Sequence, residues 1–260
     1  MSFDKCLHEF VRELGADFVG VADLSPARHM IREQGGEKIA AYPLAISVGI
    51  RVMDTIIDEL PHSREDRGVA LNFKQHAYDI VNARLDAITS RTASLLQNSG
   101  SKALPIPASQ TVDSKNLLSA FSHKLAAHLA GLGWIGRSCL LVTPQAGPRV
   151  RWATVLTNAP LTVTGQPMKS RCGKCTNCVD TCPAGAFTGR IFAEDEPRSA
   201  RFDVFKCHER LGEAEKAIGV RVCGLCVYAC PHGQKKHPAS AKRGKHVVAS
   251  SSAHTRQHGC

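Results

Sequence analysis

The residues in this chain best suited to chemistry are eight cysteines that lie between Cys172 and Cys230. Half of them follow the spacing C-x2-C-x2-C-x3-C-P, and these are Cys172, Cys175, Cys178 and Cys182. Two intervening residues let a loop wrap three thiolates around the corners of one 4Fe-4S cubane, while the fourth thiolate reaches another cluster. The spacing therefore predicts iron–sulfur chemistry, in which a cluster accepts and donates one electron at a time.

A second cysteine group completes the ligand count. Cys223, Cys226 and Cys230 precede a proline, and they lack one cysteine of the full run. Cys207 lies upstream and supplies the eighth thiolate that two cubanes need. The crossed pairing of two-cluster ferredoxins assigns one cluster to Cys172, Cys175, Cys178 and Cys230, and the other to Cys182, Cys207, Cys223 and Cys226.

Structural zinc on two four-cysteine sites is the alternative for the same residues. Zinc ribbons pair C-x2-C knuckles, however, and they need neither a triple C-x2-C-x2-C run nor a proline after each group. The pattern therefore favours two 4Fe-4S clusters. Of the three remaining cysteines, we expect Cys6 and Cys139 to be buried as small apolar side chains and Cys260 to be a free thiol.

The composition favours a cytoplasmic protein that binds metal through these cysteines. The chain has 260 residues, 43% of them apolar, and 11 cysteines. No apolar run approaches the roughly 18 residues of a membrane helix, and residues 1–10 show no apolar signal region. Closely spaced cysteines in a reducing compartment favour metal ligation over disulfides. We expect a soluble protein with no membrane association.

The net charge of +10 owes much to the C-terminal end of the chain. Residues 235–260 contain six lysines and arginines and no acidic residue. Their Ser, His and Gly content predicts a disordered tail. Two interpretations stay open: a solvated tail, and an arm that contacts RNA without sequence preference.

The cysteine segment follows a larger region that mixes helices and strands. Helical spacing of apolar residues marks residues 3–14, 73–97 and 117–129. Strand patterns mark residues 18–24, 46–52, 104–107, 139–143 and 152–157. The two kinds of element do not alternate regularly, which predicts an α+β domain. We divide the chain into this domain at residues 1–167, a ferredoxin-like module at residues 168–234 and a tail at residues 235–260.

Three glycines form a G-x-G-x-x-G sequence at Gly131, Gly133 and Gly136. A dinucleotide fingerprint follows a strand and opens a helix, so that the pyrophosphate meets the helix N-terminus. Here a helix precedes the loop and a strand follows it, so we reject a nicotinamide site. Helix capping explains one glycine, but not three around Trp134 and Ile135, a pair that we expect to be exposed. We predict that the loop closely approaches a large flat ligand.

This glycine loop belongs to a longer stretch that resembles a known family. The stretch reads Ala-Ala-His-Leu-Ala-Gly-Leu-Gly-Trp-Ile-Gly at residues 126–136 and Leu-Thr-Asn-Ala-Pro at residues 156–160. Together with the eight cysteines, it is similar to epoxyqueuosine reductase and its short relatives. The resemblance is specific over residues 123–231. It implies a nitroreductase-like α+β fold joined to a two-cluster ferredoxin module, with a relation to the reductive dehalogenases.

The resemblance also implies cofactors, a substrate and site residues. Cobalamin would lie against the glycine loop, with contacts from Gly131, Gly133, Trp134, Ile135 and Gly136. The two clusters would pass single electrons to its cobalt, and an external low-potential donor would supply them. The substrate of the family is the epoxide of a modified guanine in a tRNA anticodon, and the product is queuosine.

Two departures from the family pattern bear on the substrate and on the proton donor. Long members continue past the second C-P motif into helical repeats that help engage tRNA, whereas this chain ends in a polar tail soon after Pro231. The acidic residue of the family stands in a Val-Asp-Ser context. Asp113 stands in the same Val-Asp-Ser context, but it lies about one helical turn further from the glycines than expected. In an alignment without gaps, Leu117 occupies the position of the acidic residue. Asp113 is the first candidate acid, and capping of a helix that starts near Ser114 is the alternative for it.

His123 is the second candidate acid, with an ordinary helix histidine as the alternative. Lys124 is a candidate contact to a carboxamide or phosphate of cobalamin, with a solvated lysine as the alternative. The predicted reaction reduces an epoxide, in tRNA or in a related substrate, and needs two electrons and a proton for the departing oxygen. An electron carrier without cobalamin and a cobalamin-dependent reductase of a small molecule are the competing functions. We expect a monomer.

Overall fold

The fold is built around one antiparallel sheet, in a computed structural model that describes residues 3–194 and 196–234. The strands are β1 (Phe18–Asp23), β2 (Leu44–Arg51), β3 (Ala103–Ile106), β4 (Trp134–Ile135), β5 (Leu141–Val142) and β6 (Val150–Thr157). Four of them pair in the order β1-β2-β6-β3, and β4 pairs with β5 in a separate hairpin. In the central register, Val48 lies opposite Val19 on one side and Ala153 on the other.

Helices cover the sheet and continue into the cysteine segment. They are α1 (Phe3–Glu13), α2 (Arg28–Gly35), α3 (Glu37–Ala40), α4 (Asp54–Asp58), α5 (Arg67–Lys74), α6 (Ile80–Asn98), α7 (His123–Leu129), α8 (Asn177–Asp180), α9 (Val204–Ile218) and α10 (Leu225–Tyr228). A π-helical turn at Gln75–Asp79 joins α5 to α6. The mixture of an antiparallel sheet with covering helices confirms the predicted α+β class.

The sheet separates two hydrophobic cores. On one face, α1 and α6 bury Leu7 and Leu85 against Val155 of β6. On the other face, α7 buries Leu125 against Leu156 of the same strand. Because both faces are covered, the central strands β2 and β6 are buried along almost their whole length, and their sequences are nearly continuous apolar runs.

A third core joins the cysteine segment to the helices that follow β2. Leu60 and Phe73 pack there with Val222 and Leu225, and all four side chains are buried. The loop that carries the second cysteine group therefore has its apolar side chains in a core shared with α4 and α5, rather than in a core of its own.

The structure corrects the bounds of three predicted elements. The predicted helix at 117–129 begins only at His123, because Leu117 has a φ of 52°, which a right-handed helix excludes. The predicted strand at 139–143 shrinks to β5, because Cys139 has a φ of 54° in the turn after β4. The predicted helix at 73–97 is α6 with part of α5, interrupted by the π-helical turn.

Cys139 is buried as expected, but Cys6 is exposed on α1, so the prediction of a buried Cys6 is wrong. Among the residues that the structure describes, each helix is too short or too polar to span a membrane. Cys260 and the predicted tail at 235–260 lie outside the described residues.

Candidate iron–sulfur site and the glycine loop

Short helices and turns bring the cysteines together in two spatial groups. Burial raises the pKa of Cys178 to about 11, and the nearby thiolates that add to this shift belong to Cys230, Cys172 and Cys175. Cys172 and Cys175 act in the same way on the pKa of Cys230, which burial also raises. Cys230 therefore lies with the first three cysteines of the first run, although it is distant from them in sequence.

The second spatial group contains the fourth cysteine of the first run. Burial raises the pKa of Cys207 to about 11, and the thiolates of Cys223 and Cys182 raise it further. Burial also raises the pKa of Cys226, with contributions from Cys223, Cys207, Cys182 and Cys178. Cys182 thus approaches Cys207 and Cys226, as the crossed pairing expects, and the response of Cys226 to Cys178 indicates that the two groups adjoin.

The chemistry of these thiols suits iron–sulfur clusters. Thiols with a raised pKa, here those of Cys178, Cys207, Cys226 and Cys230, keep their protons until cations replace them, and iron supplies that charge. Each group has the four thiols that one cubane needs. No three His, Cys, Asp or Glu side chains of residues 3–194 and 196–234 converge on a point where a single ion would bind them. The thiols of each group are therefore further apart than the ligands of a single metal ion would be.

The second group is held in place by contact with α5. Gly224 follows Cys223 with a φ of 78°, and a Cβ at this position would lie 2.7 Å from the ring of Phe73. Only glycine combines this left-handed conformation with so close an approach. The backbone between Cys223 and Cys226 is thus pressed against the shared core, and this fixes where their thiols lie.

The glycine loop owes its glycines to packing within the chain. A Cβ on Gly133 would lie 2.4 Å from the carbonyl oxygen of Val142, and one on Gly136 would lie 2.9 Å from a methyl carbon of the same residue. A Cβ on Gly131 would lie 2.9 Å from the backbone nitrogen of Gln166. Other parts of the chain therefore fill the space beside all three glycines. The sequence had predicted that a large flat ligand would occupy this space.

The Trp-Ile pair within the loop is also placed differently from the prediction. Trp134 is 1% exposed and Ile135 is 3% exposed, so the expectation of an exposed pair is wrong. The loop turns toward the cysteines instead. The position of a Cβ on Gly136 is 3.6 Å from the Sγ of Cys172, which puts the loop in contact with the first cysteine group.

His123 is held by hydrogen bonds at both ring nitrogens. Its Nδ1 lies 2.9 Å from the Thr154 hydroxyl, and its Nε2 lies 3.0 Å from the Pro107 carbonyl oxygen. A carbonyl only accepts, so Nε2–H donates to Pro107 and Nδ1 accepts from Thr154. Burial lowers the pKa of His123 to about 4. The imidazole is therefore neutral at neutral pH and ties α7 to β6.

Asp113 lies in the loop before α7. Its carboxylate accepts hydrogen bonds from the side-chain nitrogen of Asn116 at 2.7 Å and from the backbone nitrogen of Asn116 at 3.0 Å. These bonds lower the pKa of Asp113 and favour its ionised form. No helix begins near Ser114, so the alternative that Asp113 caps a helix is wrong. Arg198 donates to the carbonyl oxygens of Asn116 and Leu117 and ties this loop to the cysteine segment.

Lys124 contacts the turn between β4 and β5. Its Nζ donates to the carbonyl oxygen of Cys139 at 2.7 Å. Burial lowers the pKa of Lys124, and the charges of Arg201 and Arg198 lower it further. The lysine is half-buried rather than solvated, and its surroundings contain several cations.

Tyr78 is a residue near the cysteines that the sequence analysis missed. It lies in the π-helical turn, where the Arg151 guanidinium is 4.2 Å from the centre of its ring. Burial raises the pKa of Tyr78, and the thiolates of the second group add to the shift; they belong to Cys226, Cys223 and Cys207. A π-helical turn often marks a functional site, but its extra residue leaves no sign in a 3.6-residue apolar pattern.

Comparison with known proteins agrees with this arrangement. Residues 171–250 match the family described as the 4Fe-4S double cluster binding domain. Epoxyqueuosine reductase of Bacillus anthracis is 31% identical over 120 residues, an alignment that covers 42% of this chain and 29% of the relative. Epoxyqueuosine reductase of Pseudomonas aeruginosa is 27% identical over 262 residues, with 89% of this chain and 69% of the relative covered.

Solved structures share the fold. A reductive dehalogenase structure, described as suggesting a mechanism for B12-dependent dehalogenation, has a TM-score of 0.64 at 22% identity and covers 89% of this chain and 32% of its own. An epoxyqueuosine reductase solved with an epoxyqueuosine-modified tRNA-Tyr stem loop has a TM-score of 0.52 at 19% identity, with 90% and 67% covered.

These findings confirm the predicted resemblance and the prediction of two 4Fe-4S clusters. The chain spans only about 29% of the length of the first curated relative that it matches. Residues 171–250 are thus similar to the 4Fe-4S double cluster binding domain, and the chain over most of its length is similar to epoxyqueuosine reductases.

Proposed function

We propose that this chain is an iron–sulfur reductase that delivers electrons to an epoxide, either epoxyqueuosine in tRNA or a related substrate. One observation carries the proposal: the glycine loop, where the resemblance to epoxyqueuosine reductases is specific, lies close to Cys172 of the first cysteine group. An electron held by that group would therefore lie next to the loop. The names of the curated relatives and the tRNA stem loop bound by one structural relative support this substrate class.

The eight cysteines have a defined role in this proposal. Cys172, Cys175, Cys178 and Cys230 would hold the cluster nearer to the loop, and Cys182, Cys207, Cys223 and Cys226 would hold the other. Reduction of an epoxide to an alkene consumes two electrons and two protons and releases water. Because each cluster gives up one electron at a time, two clusters together hold the electrons for one turnover. An external low-potential donor would refill them in the cytoplasm.

Cobalamin enters the proposal through the fold shared with the B12-dependent dehalogenase. When bound, it would supply a metal centre that collects electrons and attacks carbon. The glycine loop adds no support, because the space beside its glycines is filled by Val142 and Gln166. Lys124 and Leu132, which are half-buried residues before and within the glycine loop, remain available for contact with a large ligand.

Asp113 is our proposed proton donor. Its loop is anchored by Arg198 to the cysteine segment, and its carboxylate is open to solvent and accepts hydrogen bonds only from its own loop, chiefly from Asn116. It would pick up a proton when substrate displaces Asn116. His123 is less suited, since both of its ring nitrogens are engaged in hydrogen bonds within the fold.

The test is turnover by anaerobically purified protein that contains both clusters. Reduced protein should convert an epoxyqueuosine-modified anticodon stem loop to the queuosine form, detected by mass spectrometry, and should require added cobalamin. Asp113→Asn should slow this reaction without changing iron content, whereas Asn116→Ala should not abolish it. Absence of turnover with the stem loop and with small epoxides would refute the proposal.

An electron carrier without cobalamin is the second candidate. The packing of Gly133 against Val142 favours it, since a carrier needs no corrin-binding face at the loop. Titration of the protein with cobalamin discriminates the two functions. A carrier should leave the visible spectrum of cobalamin unchanged, while the proposed reductase should bind it and reduce it only when both clusters are present.

A further inference from the structure

The indole nitrogen of Trp134 is buried without a hydrogen-bond partner among the residues that the structure describes. An indole N–H donates only, and leaving it unpaired in the interior is energetically unfavourable. Buried donors of this kind are usually satisfied by a protein group or by a bound species. The unpaired N–H thus leaves Trp134 with a buried donor that an added acceptor would satisfy.

The surroundings of the indole identify where that acceptor lies. The ring of Trp134 meets the ring of His232 edge to face, with centres 4.9 Å apart, and the Arg171 guanidinium lies 5.7 Å from its centre. His232 comes two residues after Cys230, and Arg171 directly precedes Cys172. The indole therefore contacts neighbours of two cysteines that come from opposite ends of the cysteine segment and meet in one group.

We propose that the Trp134 N–H donates a hydrogen bond to a sulfur of the cluster held by Cys172, Cys175, Cys178 and Cys230. Cluster sulfurs carry negative charge, and hydrogen bonds to them are one of the means by which a protein sets the reduction potential. The bond stabilises the reduced cluster, which has one more negative charge, and so raises its potential. The inference rests on the clusters of the proposed function, and on neither its substrate nor cobalamin.

The chain provides a matched control for this donor. Its only other tryptophan, Trp152, also has a buried indole nitrogen without a partner in the described residues. The ring of Trp152 packs against Phe18, with centres 5.6 Å apart, and against Gly49. Replacing either tryptophan by phenylalanine removes one buried N–H and keeps an aromatic ring, but only Trp134 lies beside neighbours of the cysteines.

The experiment is a redox titration of the anaerobic full chain, followed by paramagnetic resonance. Trp134→Phe should lower the midpoint potential of one cluster and leave that of the other cluster unchanged, while Trp152→Phe should change neither. Equal potentials in wild type and Trp134→Phe would overturn the inference, as would a shift of the same size in Trp152→Phe. Iron and sulfide are counted first in each protein, so absence of clusters from the wild type would refute the proposed function and this inference together.

A second measurement uses the wild-type protein and does not depend on whether Trp134→Phe folds. Wild-type protein labelled with ¹⁵N at the indole nitrogens contains two such nuclei, and electron–nuclear double resonance of the reduced clusters should show coupling to one of them. The coupling should persist in Trp152→Phe. If Trp134→Phe does not assemble its clusters, the wild-type spectrum decides alone: coupling supports the hydrogen bond, and its absence overturns it.

Discussion

The cysteine segment and the glycine loop lie in contact, yet the sequence predicted them with very different success. In the cysteine segment, spacing alone anticipated that Cys182 approaches Cys207 and that Cys230 approaches Cys172. In the glycine loop, three glycines suggested a ligand-facing surface, whereas the space beside them is filled by Val142 and Gln166. Thiols have few uses in such a pattern, but a missing side chain serves equally well to admit a ligand or another part of the chain.

The largest expected effect tests the cysteine side of this comparison. Cys182→Ser should reduce the iron content from about eight to about four per chain, because it removes a ligand from one cubane only. The retained cluster should be that of Cys172, Cys175, Cys178 and Cys230. Iron analysis and paramagnetic resonance of the reduced protein measure this. Cys6→Ser, at an exposed position, serves as the control and should keep all of the iron. Loss of the other cluster would show that the pairing is not crossed.

The next effect tests the glycine side. Gly133→Ala should lower the free energy of unfolding by about 3 kcal/mol, because the new Cβ would overlap the Val142 carbonyl and force β4 from β5. Denaturant unfolding of the anaerobic protein measures the loss. Gly212→Ala is the control: it lies within α9, where its Cβ would meet only the flexible end of Arg221, and it should be neutral or stabilising. If Gly133→Ala is as stable as the wild type, the result would favour the prediction that the glycine loop is open and faces a ligand.

A smaller effect is expected on the pH dependence of stability, through His123 in α7, the helix before the glycine loop. The pKa of His123 is lowered from 6.5 to about 4 in the folded state, so the unfolded chain binds a proton first as the pH falls. The stability that its neutral ring contributes is complete above 6.5 and is lost progressively on acidification toward 4, by up to about 3 kcal/mol. His123→Asn should flatten this part of the stability profile. The exposed His29 is the control, and an equal flattening by His29→Asn would contradict the assignment.

The smallest expected effect concerns Asp113. The bonds from Asn116 lower its pKa, so its contribution to stability is present at neutral pH and is lost as the pH falls below the ordinary aspartate value. Because the group is exposed to solvent screening, Asp113→Asn should change stability little while it slows epoxide reduction. A stability loss as large as that of Gly133→Ala would make Asp113 a structural residue rather than the proton donor.

Local patterns in the sequence were sufficient for several features. The strands β1, β2 and β6 follow from apolar runs of neighbouring residues. The grouping of the eight cysteines follows from the spacing of two local motifs, read with the ligand pattern of two-cluster ferredoxins. The start of α7 was not predictable in this way. Leucines at 117 and 118 continue the helical pattern, but the backbone of Leu117 has a left-handed conformation. Leu117 lies in a loop, and its carbonyl oxygen accepts a hydrogen bond from Arg198, which is distant in sequence.

Contacts between distant residues decided the rest. Trp134 is buried and its ring lies against His232 and Arg171 of the cysteine segment, and nothing in the local sequence around the loop predicts those contacts. Tyr78 and Phe73 meet the second cysteine group because that group shares a core with α5. The sequence by itself predicted two 4Fe-4S clusters, a set of eight candidate cysteine ligands and the segments that form the main sheet. Only the tertiary structure decided which side chains surround the clusters, since long-range packing sets burial, pKa and unpaired hydrogen bonds.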